Sequence, residues 1–545
     1  MRYSGKILKL VVGSLCAIAV TQVNSAPVKA AETLVLRFGP VEESLSVTEL
    51  QNIAKTGKAP SGYDLYLKRL SAKQRQQLVG ALRIKLPVSV VALSNLFNTP
   101  VGSTLLKDFS TVTTRQDNAG MQALRAAIVL GASDAGGLSV ISFIKAYPSQ
   151  RLQIDLPQVL KLSTNLNKSF RQTQRFFAAI TPQLVSKQPD FKLPFDPSQR
   201  GSAQVQVLNL NLKDQSRQRQ VPVDIYWSTA ATASKPVIVL SHGMTSVRTD
   251  LRYIAEHLAS YGYVVAAVEH VGSNEANARL AFFGKTPFLK AEEFLDRPKD
   301  ISFVLDELAR LNRTANPLQG KLDSDRAVVI GHSFGGGTAL SIAGAELQIE
   351  RIKQHCSSNI AALSIGEGIQ CFAQGLPENN YQLRDPRVKR AIALDPTTSI
   401  LFGDAGLAKV QIPTLVLAAS ADKTTPALSE QIINFNKIPS PKWLVTVING
   451  THISAKDPST TVGQENGPST SLGGGEVTGQ AVDVRKYIKA ISLAMVAQLT
   501  PEASKYTVFL TPEYAQFAST KAFPIRLVTE IPPDVLAVAK NEVLK

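Results

Sequence analysis

The sequence predicts an α/β chain in which a mostly parallel, doubly wound sheet is preceded by a small all-α domain. Three observations predict it. Beyond residue 200, short apolar runs alternate with helix-length stretches, the pattern of buried parallel strands with covering helices. Before residue 150, apolar residues recur at helical spacing between capping signals and glycine or proline stops. Third, the apolar run Ala327–Ile330 ends abruptly in Gly331-His332-Ser333-Phe334-Gly335, which reads as a strand turning sharply into a helix.

Residues 1–30 read as an export leader. Arg2, Lys6 and Lys9 precede the apolar run Leu10–Val23, and Val28-Lys29-Ala30 offers small residues where a signal peptidase reads, so cleavage is expected after Ala30. The run falls short of the ~20 residues of a spanning helix, which argues against an uncleaved anchor. Leu15 before Cys16 argues against a lipidated cysteine. A helical bundle is expected over 31–150. Ser46-Val47-Thr48-Glu49 is a capping box, Leu45 and Leu50 can staple across it, and Gly57 stops the helix. Ser71–Gln74 repeats the signature, and further helices are expected at Val88–Phe97, Gln122–Leu130 and Leu138–Ala146. Residues 151–200 form a connector: one long amphipathic helix, Gln158–Leu184, then the proline-bearing linker Lys187–Pro197.

Residues 201–545 hold the sheet. Val205–Leu212 and Val221–Trp227 flank the polar turn Lys213–Arg219 as a hairpin would. Strands then follow at Val237–Leu240, Val264–Val268, Ala327–Ile330, Ala391–Leu394, Thr414–Ala418 and Leu444–Ile448. Gly463–Gly479 is a Gly-, Ser- and Thr-rich surface loop. The helix Val482–Leu499 is expected to pack on the sheet through Val484, Ile488, Ile491 and Met495.

The full chain of 545 residues carries a net charge of +16. Removing the leader leaves 55 basic against 43 acidic side chains, +12, with no Lys/Arg block or interleaved aromatic ladder. Scattered charge of this kind argues against nucleic-acid binding and suits attraction to an anionic membrane surface. Cys16 leaves with the leader, so Cys356 and Cys371 remain as either a bridge or two buried thiols. Neither an H-E-x-x-H pattern nor a cysteine pair at zinc spacing occurs, so no metal and no cofactor is expected.

The turn at Ser333 resembles the nucleophile elbow of α/β-hydrolases, in which Gly331 and Gly335 let strand and helix pass closely. A serine hydroxyl needs a base within hydrogen-bond reach and a carboxylate to orient that base. In such folds the chain order is serine, acid, histidine. Only His355 and His452 follow Ser333, and His355 precedes every candidate acid, so His452 is the expected base. Asp422, after the run Thr414–Ala418, is the preferred acid, and Asp395, after Ala391–Leu394, is the alternative. The oxyanion donors are expected to be the N–H groups of Phe334 and of Met244 in Ser241-His242-Gly243-Met244. His242, Glu269 and His270 are read as structural.

With these residues in view, LSHGMTSVRTDL, HLASYGYVVAAVEHVGSNE and GHSFGGGTAL resemble blocks of plasma-type platelet-activating factor acetylhydrolases. PTLVLAASADKTTP and NGTHI look more like bacterial dienelactone-hydrolase-like and polyester-hydrolase-like esterases. The likeness spans Pro236 to His452, and the region before residue 150 is similar to a helical module that precedes such hydrolases in cyanobacterial proteins. It implies Ser333 as nucleophile, His452 as base, and Met244 and Phe334 as oxyanion donors. The acetylhydrolase pattern places the acid at Asp395, the esterase pattern at Asp422. The implied partner is a small-molecule or lipid ester. Asn274–Leu295 and Asn359–Leu383 are the segments expected to shape its pocket. A lactone or polyester substrate, a non-catalytic envelope protein and a membrane-surface adaptor are the competing readings, and the oligomeric state stays open.

Overall fold

A strand pair, not a helix, opens the described chain. β1 (Thr33–Phe38) runs antiparallel to β2 (Val41–Ser46) and parallel to β3 (Arg151–Asp155), with Val35 opposite Ser44 on one side and Gln153 on the other. The computed structural model describes residues 30–58, 71–115, 119–165, 168–181, 191–460 and 481–544, so the leader up to residue 29 and the loop Gly463–Gly479 lie outside it. The all-α expectation for residues 31–150 is therefore corrected to a mixed α/β module. β1 offers only six residues, and its parallel partner lies more than a hundred residues downstream. A run that short has no period to distinguish it from a helical turn.

The helices of the module begin and end on the expected signals. In α1 (Val47–Thr56) the Ser46 side chain accepts from the Glu49 N–H while Glu49 reaches back, and Gly57 closes the helix at φ 72°. α2 spans Ala72–Arg83 and α3 spans Val90–Phe97, the latter capped by Ser89. An unforeseen α4 (Pro100–Ser110) starts at a Thr99 cap with proline in its first turn. α5 (Gly120–Gly131) and α6 (Val140–Ala146) complete the set, packed on Val35, Leu50, Ile53, Ile144 and Leu152. In the connector the described residues form α7 (Leu156–Asn165) and α8 (Lys168–Ile180), and residues 166–167 and 182–184 of the expected helix Gln158–Leu184 lie outside the described residues.

Nine strands form the main sheet: β4 (Val205–Asp214), β5 (Arg219–Ser228), β6 (Pro236–Ser241), β7 (Val264–Val268), β8 (Asp323–His332), β9 (Val388–Leu394), β10 (Thr414–Ala419), β11 (Lys442–Val447) and β12 (Ile525–Val528). Their order is β12-β11-β10-β9-β8-β6-β7-β5-β4. The six strands β6 to β11 are parallel, and β4, β5 and β12 run antiparallel at the edges. Eight of the nine were foreseen. The ninth, β12, is a four-residue edge strand that becomes visible only once β11 is there to pair with it.

Alternate residues of the central strands feed two cores, one on each face. Val329, Ala391 and Ala393 pack on the face of α11 (Glu293–Arg313) and α12 (Phe334–Ile342), after α9 (Arg252–Ser260) and α10 (Glu275–Phe282) in the chain. Val328, Ile330, Ile392 and Leu394 face α9 and α13 (Val482–Ala497). Both faces are buried, which is why these strands read as continuous apolar runs. Val484, Ile488, Ile491 and Met495 of α13 are at most 1% exposed. A last helix, α14 (Pro533–Leu544), packs on α8. Cys356 and Cys371 form a disulfide with Cα atoms 5.6 Å apart. Among the described residues no helix is long and apolar enough to cross a membrane.

Candidate active site

Ser333 sits between the last residue of β8 and the first of α12, at φ 58° and ψ −120°. That conformation is costly for a residue with a Cβ and persists only where the surroundings enforce it. They do so here: a Cβ on Gly331 would overlap the Gly335 carbonyl, and one on Gly335 would overlap the Ser241 carbonyl. Only glycine at both places lets helix, elbow and β6 approach this closely. The N-terminus of α12 lies directly behind the hydroxyl and favours negative charge there.

The other chain segments arrive from the same edge of the sheet, beyond the carboxyl ends of β6, β10 and β11. His452 Nε2 lies 2.9 Å from Ser333 Oγ, and its Nδ1 lies 2.7 Å from Asp422 Oδ2. A carboxylate only accepts, so Nδ1 carries the ring proton and the serine hydroxyl donates to Nε2. Asp422 is fully buried. Its Oδ1 accepts the N–H groups of Thr424 and Thr425 at 2.7 and 2.8 Å, and its Oδ2 accepts the Thr425 hydroxyl at 2.7 Å. Asp395 is placed differently. Its Oδ1 accepts the Ala419 N–H at 2.9 Å, tying β9 to β10, and its backbone carbonyl lies 3.1 Å from the Thr425 hydroxyl as the longer alternative to Asp422. The structure thus brings Ser333, His452 and Asp422 into one hydrogen-bonded line and puts Asp395 to work in the sheet edge.

The turn carrying Met244 lies against the elbow, since a Cβ on Gly243 would come within 3.3 Å of Ser333 Cβ. Among the described residues the N–H groups of Met244 and Phe334 have no acceptor. The Gly243 carbonyl belongs to the same peptide unit as the Met244 N–H, and it is held twice. His242 Nδ1–H donates to it at 2.7 Å and Arg297 Nη2 at 3.2 Å. Arg297 is fully buried, and its guanidinium also lies over the Phe334 ring at 4.3 Å. Burial pushes its pKa down to about 9, and the Glu293 and Asp300 carboxylates oppose that shift.

His242, His270 and Glu269 act as structure. The His270 N–H donates to His242 Nε2 at 3.0 Å, while its side chain accepts from Ser241 and donates to buried Asp300. Glu269 accepts the Arg248 N–H and the Asn274 amide. Burial holds His242 and His270 well below the ordinary imidazole pKa. His332 is depressed in the same way, and its Nε2–H donates to the His452 carbonyl at 2.8 Å. His355 is exposed at the end of a short helix.

Three contributors escaped sequence reasoning. Thr425 had a visible signal, because Asp-x-Thr-Thr is the pattern of an Asx turn. His332 sat inside the elbow motif without a role. Arg297 had no local signal at all, being a cation in the second turn of α11 whose partners come from three distant segments. Arg297→Met is expected to lower unfolding stability by about 3 kcal/mol, the usual cost of breaking a buried charge network. Among molecules still able to be titrated at Ser333, kcat is expected to fall about tenfold or more with KM little changed. Urea unfolding and steady-state kinetics normalised to active sites check both. Among the described residues no group of three His, Cys, Asp or Glu side chains is placed to hold a metal ion.

Comparison with known proteins gives matches to two families. The one described as "Alpha/beta hydrolase of unknown function" matches residues 30–155, and the one described as "PET hydrolase-like" matches residues 222–357. A platelet-activating factor acetylhydrolase of Cavia porcellus is 30% identical over 155 residues, 22% of this chain and 35% of that protein. Cutinase 1 of Thermobifida cellulosilytica is 21% identical over 229 residues, 42% of this chain and 64% of that protein. Cutinase est1 of Thermobifida alba is 21% identical over 277 residues, 50% of this chain and 64% of that protein. The chain therefore spans less than two thirds of each of these relatives. The sheet order and the two matched stretches together show that the fold of this chain is that of an α/β-hydrolase.

Proposed function

We propose that this chain is an exported serine carboxylic ester hydrolase. One observation carries the reading: an imidazole 2.9 Å from a serine hydroxyl held in a strained turn, with a buried carboxylate 2.7 Å from its other nitrogen. In this reading Ser333 Oγ attacks the ester carbonyl while its proton passes to His452 Nε2. The Met244 and Phe334 N–H groups receive the charge on the carbonyl oxygen. The C–O bond breaks, the alcohol leaves with the proton from His452, and water delivered through the same imidazole releases the acid from Ser333. Asp422 keeps the ring in the reactive tautomer and stabilises the imidazolium.

The substrate proposed is a lipid-type or short-acyl ester. Supporting it are the likeness to an acetylhydrolase and the apolar Leu280, Phe282, Phe283 and Phe288, all at least 40% exposed on the segment Asn274–Leu295. The cutinase and PET hydrolase-like matches favour a second reading, a polymeric ester. Export with cleavage after Ala30 belongs to the same proposal, and the mass of the mature protein tests it. So does peripheral contact with an anionic membrane, which vesicle binding that persists in Ser333→Ala would support.

The decisive experiment is labelling by a fluorophosphonate, followed by a panel of p-nitrophenyl esters of increasing acyl length, an acetyl-glycerophospholipid and a polyester film. Wild type is expected to be labelled at Ser333 and Ser333→Ala to lose both labelling and turnover. An unlabelled wild type sinks the enzyme reading.

A further inference from the structure

Three segments near the triad are fastened to the same body, the described residues of the module and connector between 30 and 181. The first segment, Asn274–Leu295, starts at the oxyanion turn, where the Thr245 N–H donates to the Ser273 carbonyl and the Glu275 N–H to the Ser246 carbonyl. It ends against the nucleophile, where the Phe294 ring meets Phe334 with centroids 4.9 Å apart. The module grips its middle. The Ser89 N–H donates to the Phe282 carbonyl at 3.2 Å, and Gly284, at φ 73°, lies so close to Val91 that a Cβ there would overlap it.

The second segment, Asn359–Leu383, meets the acid turn where the Gly366 N–H donates to the Thr424 carbonyl, and meets the first segment through Phe372 and Phe288. The module grips it as well. The two oxygens of Asp108, on α4, accept the N–H groups of Asn359 and Ala361 at 3.2 and 3.0 Å. The Ser169 hydroxyl of α8 donates to Glu367 at 3.0 Å. The acid turn itself forms the third attachment. The Gln174 amide donates to the Ser420 carbonyl at 2.7 Å, and the Lys423 ammonium lies over the Phe170 ring. Val101 and Phe177 join the same apolar core as Leu289, Phe294 and Phe334.

We propose that the N-terminal module is the specificity-setting wall of the active site: by holding residues 282–284 and 359–367 from outside, it fixes the width of the acyl-binding space. The proposal rests on the hydrolase reading above. The physical basis is that neither segment belongs to a strand of the sheet, so their separation is set by what they are tied to. An acyl pocket discriminates chain length only when its walls do not yield. Asp108 is the most informative attachment, because it carries two backbone bonds, stands half-buried at the surface and touches no triad residue.

The test is Asp108→Ala beside wild type and Lys107→Ala, an exposed neighbour on the same helix, each assayed for phosphonylation rate at Ser333 and for kcat/KM over the acyl-length panel. Asp108→Ala is expected to be phosphonylated at the wild-type rate. Its acyl-length preference is expected to flatten by about fivefold or more, with Lys107→Ala unchanged. Hydrogen exchange is expected to rise in 359–375 and not in β8 or β11. Should Asp108→Ala fail to fold, Ser169→Ala replaces it, with the same expected result. A preference profile superimposable on wild type overturns the proposal, as does a wild type indifferent to acyl length. Labelled wild type with an unchanged variant profile sinks this proposal alone, whereas unlabelled wild type sinks the hydrolase reading.

Discussion

Asp422→Asn is expected to reduce turnover by about 10⁴-fold, or about 5 kcal/mol of barrier, whereas Asp395→Asn is expected to stay within tenfold of wild type. The difference follows from what each carboxylate does. In Asp422→Asn the new amide can present its NH2 to His452 Nδ1, which moves the ring proton to Nε2 and leaves no lone pair for the serine proton. The amide oxygen would still close the turn with Thr424 and Thr425, so the protein should fold and the loss should appear in kcat. Asp395→Asn keeps an oxygen for the Ala419 N–H, which is the bond Asp395 Oδ1 makes in the sheet. Single-turnover kinetics on an active ester, with circular dichroism as a folding control, check the pair. A collapse of activity in Asp395→Asn with Asp422→Asn unaffected would reverse the assignment.

Acid is expected to unfold the protein through its buried histidines, beginning as the pH drops below about 6.5, the value an unfolded imidazole holds. Burial depresses His242, His270 and His332 well below that value and His257 to about 3. Each is therefore neutral when folded and protonated when unfolded over the same interval. The unfolded chain binds more protons there, so stability is full above pH 6.5 and falls as the pH falls. Glu430 works in the opposite sense. Burial and the nearby Glu367 push it up to about 8, so between that pH and the ordinary glutamate range the folded state holds one proton more. About three net protons remain, a loss of about 4 kcal/mol per pH unit. Urea midpoints at pH 7.5, 6.5 and 5.5 check the slope, and His257→Leu, remote from the triad, is expected to remove about one proton from it. A midpoint flat across that range would refute the account.

How much of this was legible depended on how local each determinant is. The parallel strands were visible because both of their faces are buried, which makes the apolar run itself the signal; Val328, Val329 and Ile330 are buried on alternating sides. α1 was visible because Ser46, Glu49 and Gly57 terminate it within its own sequence. β1 and β3 were not, since both are short and β3 finds its strand partner, β1, more than a hundred residues away.

What the chain determined alone was the elbow and the order of its chemistry: two glycines whose hydrogen side chains are the only ones that fit, a serine between them, and one histidine after both candidate acids. Those are steric and counting arguments that need no distant contact. Tertiary structure alone decided which aspartate faces the ring, that an arginine near the start of α11 grips the peptide ahead of Met244, and that the N-terminal module fastens residues 282–284 and 359–367. Each is a choice between groups of equal local chemistry, settled by which pieces of chain the sheet order carries to one edge.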